Sequence, residues 1–319
     1  MDNKDQVINP ANVYLEIAKL IGEPINPSLP TPMEVSAIAD VDTANPGEKV
    51  FYFADLDEDV DEIYDVNSNG AITVVKRTPL SDTQLTFKGL NSKLEYVLLE
   101  NVLSSPDVDV LGRKKERISH GMDKLELRLI LKAIMDASGI ATITPVSGED
   151  IYDVIMRAKH AIEDYGDNFV LLVGSTVKEK IDTYDKDNVT SFNYNVALKA
   201  RLKDVDIEVV KIFGKVKTTG DSVSTVLLDA NKMILVARNS RIAEGKPLHF
   251  VRRRISPDIA KLMGADVDKA QRALIVNPTP VNVAGTNTLA YGVYGYESYI
   301  WCVKNPKAIV KTSDLSGIL

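Results

Sequence analysis

The sequence predicts an α+β chain built as an N-terminal arm, a long hairpin, one long helix and an α/β body. Three observations predict it. Four prolines (Pro24, Pro27, Pro30 and Pro32) fall within nine residues near the N-terminus. Strand-like runs flank DLDEDVDEIYD, Asp55 to Asp65, in which seven of eleven residues are acidic. A single apolar stripe at helical spacing runs from Arg113 to about Ala137, a length of nearly 40 Å at ~1.5 Å per residue.

Residues 1–46 read as the arm. Asn9-Pro10 can start a short helix with Val13, Ile17 and Leu20 or Ile21 on one side. The prolines of EPINPSLPTP then exclude both helix and central strand, because each lacks an amide proton and fixes its own φ. An extended segment of this kind needs a surface to lie on. MDNKDQVINP has neither a basic n-region nor an apolar h-region, so no secretory signal is expected there.

Residues 47–93 read as the hairpin. KVFYFAD places Val50, Tyr52 and Ala54 on one face and Phe51 and Phe53 on the other. AITVVKRT is a second strand and QLTFKGL a third. The acidic run and an NSNG turn, Asn67 to Gly70, lie between the first two. A two-stranded ribbon is not stable alone in water, so this one must lie against something else.

Residues 94–147 hold a short helical stretch, Leu94 to Leu103, a connector, and the long helix 113–137. The buried stripe of that helix is expected to be Ile118, Met122, Leu125, Leu129, Ala133 and Ala137. From Ser147 the pattern becomes α/β, and residues 148–255 read as one body. Ser147 to Asp150 resembles a capping box, ahead of a stripe of Ile151, Val154, Ile155, Ala158, Ile162 and Tyr165. NFVLLVG is a buried strand, and Ser175 caps another short helix. VDIEVVKIFG, STVLLDA, MILVAR and PLHFVRRR are further strands. Residues 256–319 return with the helix SPDIAKLMG, then ALIVNPTPVNV and LAYGVYGYESYIWCVKNPKAIV as closing strands.

The chain has 319 residues, 45% hydrophobic and 26% charged, enough for a sizeable core. No run approaches the ~18 apolar residues of a membrane span. A single cysteine, Cys302, excludes an intrachain disulfide. The net charge of −7 is unevenly spread. Met1 to Gly112 holds 7 basic and 20 acidic residues, and Arg113 to Leu319 holds 31 basic and 25 acidic. The basic half is too dilute for a general nucleic-acid binder. Opposite charges on two parts of one chain suit attraction between neighbouring copies instead.

Reaction chemistry leaves little trace in the sequence. Asp55, Asp57 and Asp59 imitate the start of a calcium loop, but Val60 and Val66 stand where glycine and glutamate are required. His120, His160 and His249 show no paired ligand spacing, so no metal centre or cofactor is expected. GSTVKEK follows a strand yet lacks the phosphate-loop pattern. No nucleophile elbow is present, and the chain is not expected to be an enzyme. Arg252, Arg253 and Arg254 can bind phosphate or, as the better reading, serve as interface charges. Arg113, Lys114 and Lys115 carry the same two readings. The candidate interface residues are these six cations with Asp55, Asp57, Glu58, Asp59, Asp61 and Glu62. The tyrosines at 291, 294, 296 and 299, with Trp301, read as sheet packing.

Taken in order, these parts resemble the major capsid protein of tailed bacteriophages, a fold shared with encapsulins. Residues 1–46 resemble its N-terminal arm, 47–93 its extended loop, and 113–137 its spine helix within a peripheral domain. DVIMRAKHAIEDYGDNFVLLVGSTVKEKI is similar to its axial-domain helix, strand and next helix. CVKNPKAIVK resembles its closing strand and Asn-Pro-Lys-Ala ending, Asn305 to Ala308. One departure is that no glycine precedes IEVVKI. The resemblance implies a structural subunit, made in the host cytoplasm, whose hexamers and pentamers close an icosahedral virion around double-stranded DNA. It implies a portal protein and, given the short arm, a separate scaffolding protein. Two other readings stand beside it: an encapsulin-type compartment shell, and a cytosolic α/β enzyme with an inserted hairpin.

Overall fold

The computed structural model describes residues 33–54, 82–104, 110–137, 139–188, 198–217, 225–240, 245–256, 258, 271–283 and 285–319. The first helix of the arm, its proline segment, the acidic run, AITVVKRT and most of SPDIAKLMG lie outside the described residues.

The described chain opens with α1 (Met33–Ile38) and β1 (Ala39–Ala44). A ribbon follows, β2 (Val50–Ala54) and β3 (Asp82–Thr86), then β4 (Lys88–Asn91), β5 (Glu95–Leu98) and α2 (Leu99–Leu103). The long helix α3 spans Val110–Asp136. Next come β6 (Ala141–Ile143), α4 (Ile151–His160), β7 (Gly166–Val173) and α5 (Ser175–Asn188). After α6 (Leu198–Asp204) run β8 (Ile207–Lys211), β9 (Lys215–Val216), β10 (Thr225–Val226) and β11 (Met233–Ser240). The last strands are β12 (Leu248–Arg253), β13 (Arg272–Val283), β14 (Thr286–Val303) and β15 (Ile309–Thr312).

Two main sheets organise these elements. In the first, β14 is the axis. On one side it pairs with β13 along Thr286 to Glu297 and then with β12 along Ser298 to Val303. On its other side lie β5 and β4. β1 extends this sheet by pairing parallel with β12. Residues 33–44, read from sequence as part of the arm, therefore form a helix and a strand of the body, and Val35, Ile38 and Ala39 are buried. The second sheet has the order β6-β15-β11-β7-β8. Its two faces bury separate apolar clusters, one against α4 and α5 and the other shared with α3.

The long helix joins the two sheets. Its buried positions include Ile118, Met122, Glu126, Ile130 and Ile134, an unbroken i, i+4 row. The expected stripe is right at Ile118 and Met122 and then departs. Leu125, Leu129, Ala133 and Ala137 are only half-buried. The true row passes through a glutamate, and a reading that tracks apolar residues steps off it there. A side chain at Gly295 on β14 would collide with Met122 Sδ and meet Ile118 Cγ2 at 3.0 Å, so glycine sets how closely helix and sheet approach. At the other end Lys311 of β15 donates to the carbonyls of Met135 (2.6 Å) and Ala137 (2.7 Å). A lysine there both satisfies orphan carbonyls and complements the negative end of the helix dipole.

Several local expectations shift by a few residues. Glu95–Leu98 is a strand rather than the first half of a helix, because it adds to the free side of β14. The cap of α4 is Asp150, whose side chain accepts from the Asp153 amide while Asp153 accepts from Asp150, a reciprocal box three residues beyond Ser147. α5 has 14 residues and is not short. Its first free amides, Thr176 and Val177, donate to the Ala230 carbonyl. The protein's own backbone thus occupies the place a phosphate would take in GSTVKEK. The position before IEVVKI is Asp206, which adopts φ +61°, the left-handed region that glycine enters most readily. An aspartate tolerates it better than most residues, so a glycine is not required.

β2 pairs antiparallel with β3, from Val50↔Thr86 to Ala54↔Asp82, as a separate two-stranded sheet. Among the described residues the first expected strand, KVFYFAD, pairs with DTQLT, the start of the third. At that base Leu85 and Phe87 pack on Val251 and Ile300, on the face of the first sheet opposite α3.

Candidate functional site

Four elements, β12, β13, β14 and α3, deliver charged groups to one interior point. The register places Arg272 opposite Glu297, and Arg252 opposite Tyr299. Positions 297 and 299 lie two apart on one strand, so all four side chains share the face turned toward α3. From the helix come Ser119, Asp123 and Glu126, spaced to present one side. Arg252 clasps Glu126 with two bonds, Nε to Oε1 at 2.9 Å and Nη2 to Oε2 at 2.7 Å. Arg272 donates from Nε to Glu297 at 2.6 Å, and from Nη1 to Asp123 at 2.7 Å and to the Ser119 carbonyl at 3.1 Å. Arg272 Nη2 also lies 3.4 Å from Glu126 Oε1. Glu126 and Glu297 are 0% exposed, and Arg252 and Arg272 are 1%.

The two glutamates are pushed apart in acidity. Burial works to raise Glu126, but the paired bonds and the charge of Arg252 outweigh it and hold its carboxyl below the ordinary range. Glu297 is driven up to about 8, first by burial and then by the nearby negative charge of Glu126. Its Oε1 meets no donor among the described residues, which suits an oxygen that itself carries a proton toward Glu126. With Glu297 neutral, two arginines balance Glu126 and Asp123. Burial, with Glu297 and Glu126 adding to it, raises the Tyr299 hydroxyl as well.

Perturbed carboxylates often mark catalytic sites. These two are wholly enclosed, so no substrate reaches them. Their geometric effect is to bolt the middle of α3 to the junction of β12, β13 and β14. Sequence reasoning missed Glu126, Arg272 and Glu297. The available signals were Glu126 on an otherwise apolar i+4 row, and Glu297 as the one charge in an aromatic strand.

The structure separates the expected interface cations. Arg252 is corrected from an outward-facing charge to an enclosed member of this network, because Glu126 lies directly beneath it. Arg253 is half-buried, lies over the Phe87 ring and donates to the Glu48 carbonyl at 2.7 Å, so it anchors the hairpin base. Arg254 is half-buried. Lys114 pairs with Glu95, lowering that carboxyl, and Lys115 is buried against the protein's own interior. Arg113 remains exposed. Asp55, Asp57, Glu58, Asp59, Asp61 and Glu62 lie outside the described residues. Tyr291 and Tyr299 are core residues, as expected of sheet packing. His249 pairs with Asp42 and His160 with Glu163, and among the described residues no cluster has metal-binding composition. No described helix is long and apolar enough to cross a membrane.

No protein-family model matches the chain, and no curated protein matches its sequence. Solved structures do match. The chain is similar to the capsid of an empty GTA particle, with a TM-score of 0.56 at 11% identity, covering 91% of this chain and 92% of that one. It is similar to a phage-related protein from Bordetella bronchiseptica, with a TM-score of 0.55 at 14% identity, covering 94% and 97%. It is also similar to a virus-like particle from Pyrococcus furiosus, with a TM-score of 0.51 at 15% identity, covering 95% and 97%. At these identities the likeness establishes a fold, and the fold is that of phage capsid proteins.

Proposed function

We propose that this chain, with the phage capsid-protein fold, is the structural subunit of an icosahedral virus capsid, assembling as hexamers and pentamers around double-stranded DNA. The observation that carries this reading is the match to a capsid over nine-tenths of both chains. In this reading residues 1–46 include the arm, 47–93 form the extended loop, and α3 is the spine of a peripheral domain. Residues 148–255 form the axial domain, and the return segment 256–319 completes both. A portal protein and a separate scaffolding protein are its proposed assembly partners.

The ribbon supports this reading. β2 and β3 pair only with each other among the described residues, and a two-stranded ribbon gains stability by lying on another surface. Many modest contacts of this kind add up in a closed symmetric shell. The acidic run beyond β2 supplies a charged contact for a neighbouring subunit. Reversing Asp57, Asp59 and Asp61 to lysine is expected to reduce assembly at least tenfold by light scattering and leave subunit folding unchanged. Wild-type assembly by this variant would remove the acidic run from the account.

A second reading, a non-viral compartment shell, is favoured by the match to the Pyrococcus furiosus virus-like particle. The two readings differ in contents. Purified particles that hold duplex DNA support the first, and particles that hold protein cargo support the second.

A further inference from the structure

The outer side of α3 carries cations at successive helical turns. Arg113 and Arg117 stand four apart, and His120, Lys124, Arg128 and Lys132 continue at steps of four. Arg113, Arg117, His120, Lys124 and Lys132 are exposed, and Arg128 is half-buried. At ~1.5 Å per residue the row is about 29 Å long. β9 lies beside it, since a side chain at Gly214 would come within 3.5 Å of Lys124 Cε, and the exposed Lys215 and Lys217 widen the positive surface there. In the sequence these cations are diluted among apolar and acidic residues. The helical period gathers them on one face.

We infer that this face of α3 is a contact surface for the phosphate backbone of duplex DNA, bound without regard to sequence. The inference builds on the shell reading, which names enclosed DNA but assigns it no surface. Charge complementarity alone also suits an acidic protein segment, such as Asp55 to Asp65 of a second copy. The surface chemistry favours phosphate. Protein partners are held by apolar and aromatic anchors. None of the exposed large hydrophobic side chains lies on α3 itself, and Phe213 and Val226 stand at the β9 edge of the surface, off the row of cations. Phosphate recognition needs no such anchors. The helix also has no Phe, Tyr or Trp on which an unpaired base could stack, which favours duplex over single strand. The contact is expected to be weak, because Glu116 and Asp136 are exposed at its ends and the chain is net negative.

The test uses the purified full chain, kept unassembled as verified by light scattering, and a fluorescein-labelled duplex of about 30 base pairs. Anisotropy is followed between 50 and 200 mM salt. The wild type is expected to bind two unrelated sequences equally, with affinity falling steeply as salt rises. Each phosphate contact contributes a slope of about −0.9 in log K against log salt. Arg117→Ala/Lys124→Ala/Lys132→Ala is expected to flatten that slope by about 2.7 and weaken binding more than tenfold at 50 mM salt. The single Lys124→Gln variant is expected to flatten it by about 0.9, and circular dichroism checks that each variant is folded. Unchanged DNA binding by the folded triple variant would overturn the inference. So would lost self-assembly with DNA affinity intact, which would assign the face to a protein segment. The shell reading is read by particle mass and this one by a salt slope, so either can fail while the other stands.

Discussion

Replacing Glu126 by leucine is expected to destabilise the folded chain by about 3–5 kcal/mol, the usual cost of removing one partner from a buried ion pair. Enclosure is the cause. Among the described residues Glu126 is the only carboxylate to receive both nitrogens of the Arg252 fork, and it also lies beside Arg272. Without it Arg252 keeps its charge in an enclosed position, 1% exposed. Replacing Arg252 by methionine alone is expected to leave Glu126 enclosed beside Arg272 but without its paired bonds. The double variant, Glu126→Leu with Arg252→Met, is expected to cost less than the sum of the two, because it removes both charges together. Urea unfolding of the four proteins measures this coupling. Strict additivity would show that the pair contributes nothing as a unit.

The second large effect is a dependence of stability on pH that runs through Glu297. Its folded pKa, about 8, lies above the ordinary carboxyl value of 4.5. The folded chain therefore holds a proton that the unfolded chain releases. The associated stability is fully present below about pH 4.5 and is lost as pH rises toward 8, at about 1.4 kcal/mol for each pH unit crossed. A loss of a few kcal/mol across that window is expected. Glu126, held low by Arg252, acts in the opposite sense and loses stability as the solution becomes strongly acidic. Glu297→Gln keeps the neutral shape without the ionisation. It is expected to match the wild type near pH 5 and to exceed it at pH 9, with a flatter profile between. A glutamine variant whose profile parallels the wild type would place the titrating group elsewhere.

The same network shows where sequence reasoning reaches and where it stops. The long helix and the strands of the body were legible because each has its own local pattern: a helical period of apolar residues, and apolar β-branched runs. β7, β11 and β12 lie where their apolar runs predict them. The glutamate on the buried row of α3 was not legible, because only pairing with Arg252 makes a charge acceptable there, and the partner lies 126 residues away. Arg252, Arg253 and Arg254 look equivalent in sequence. Strand alternation sends Arg252 to the helix side and Arg253 to the ribbon side, so neighbouring arginines take unrelated roles. The basic face of α3 was hidden for a related reason. A net count over half the chain averages away what the helical period concentrates.

Whether this fold builds a closed shell is decided by electron microscopy of the purified chain, alone and co-expressed with a scaffolding protein. Closed, symmetric particles of uniform size, built from rings of five and six subunits, are the predicted result. A chain that stays a 35 kDa monomer under every assembly condition, with no rings and no shells, would contradict it.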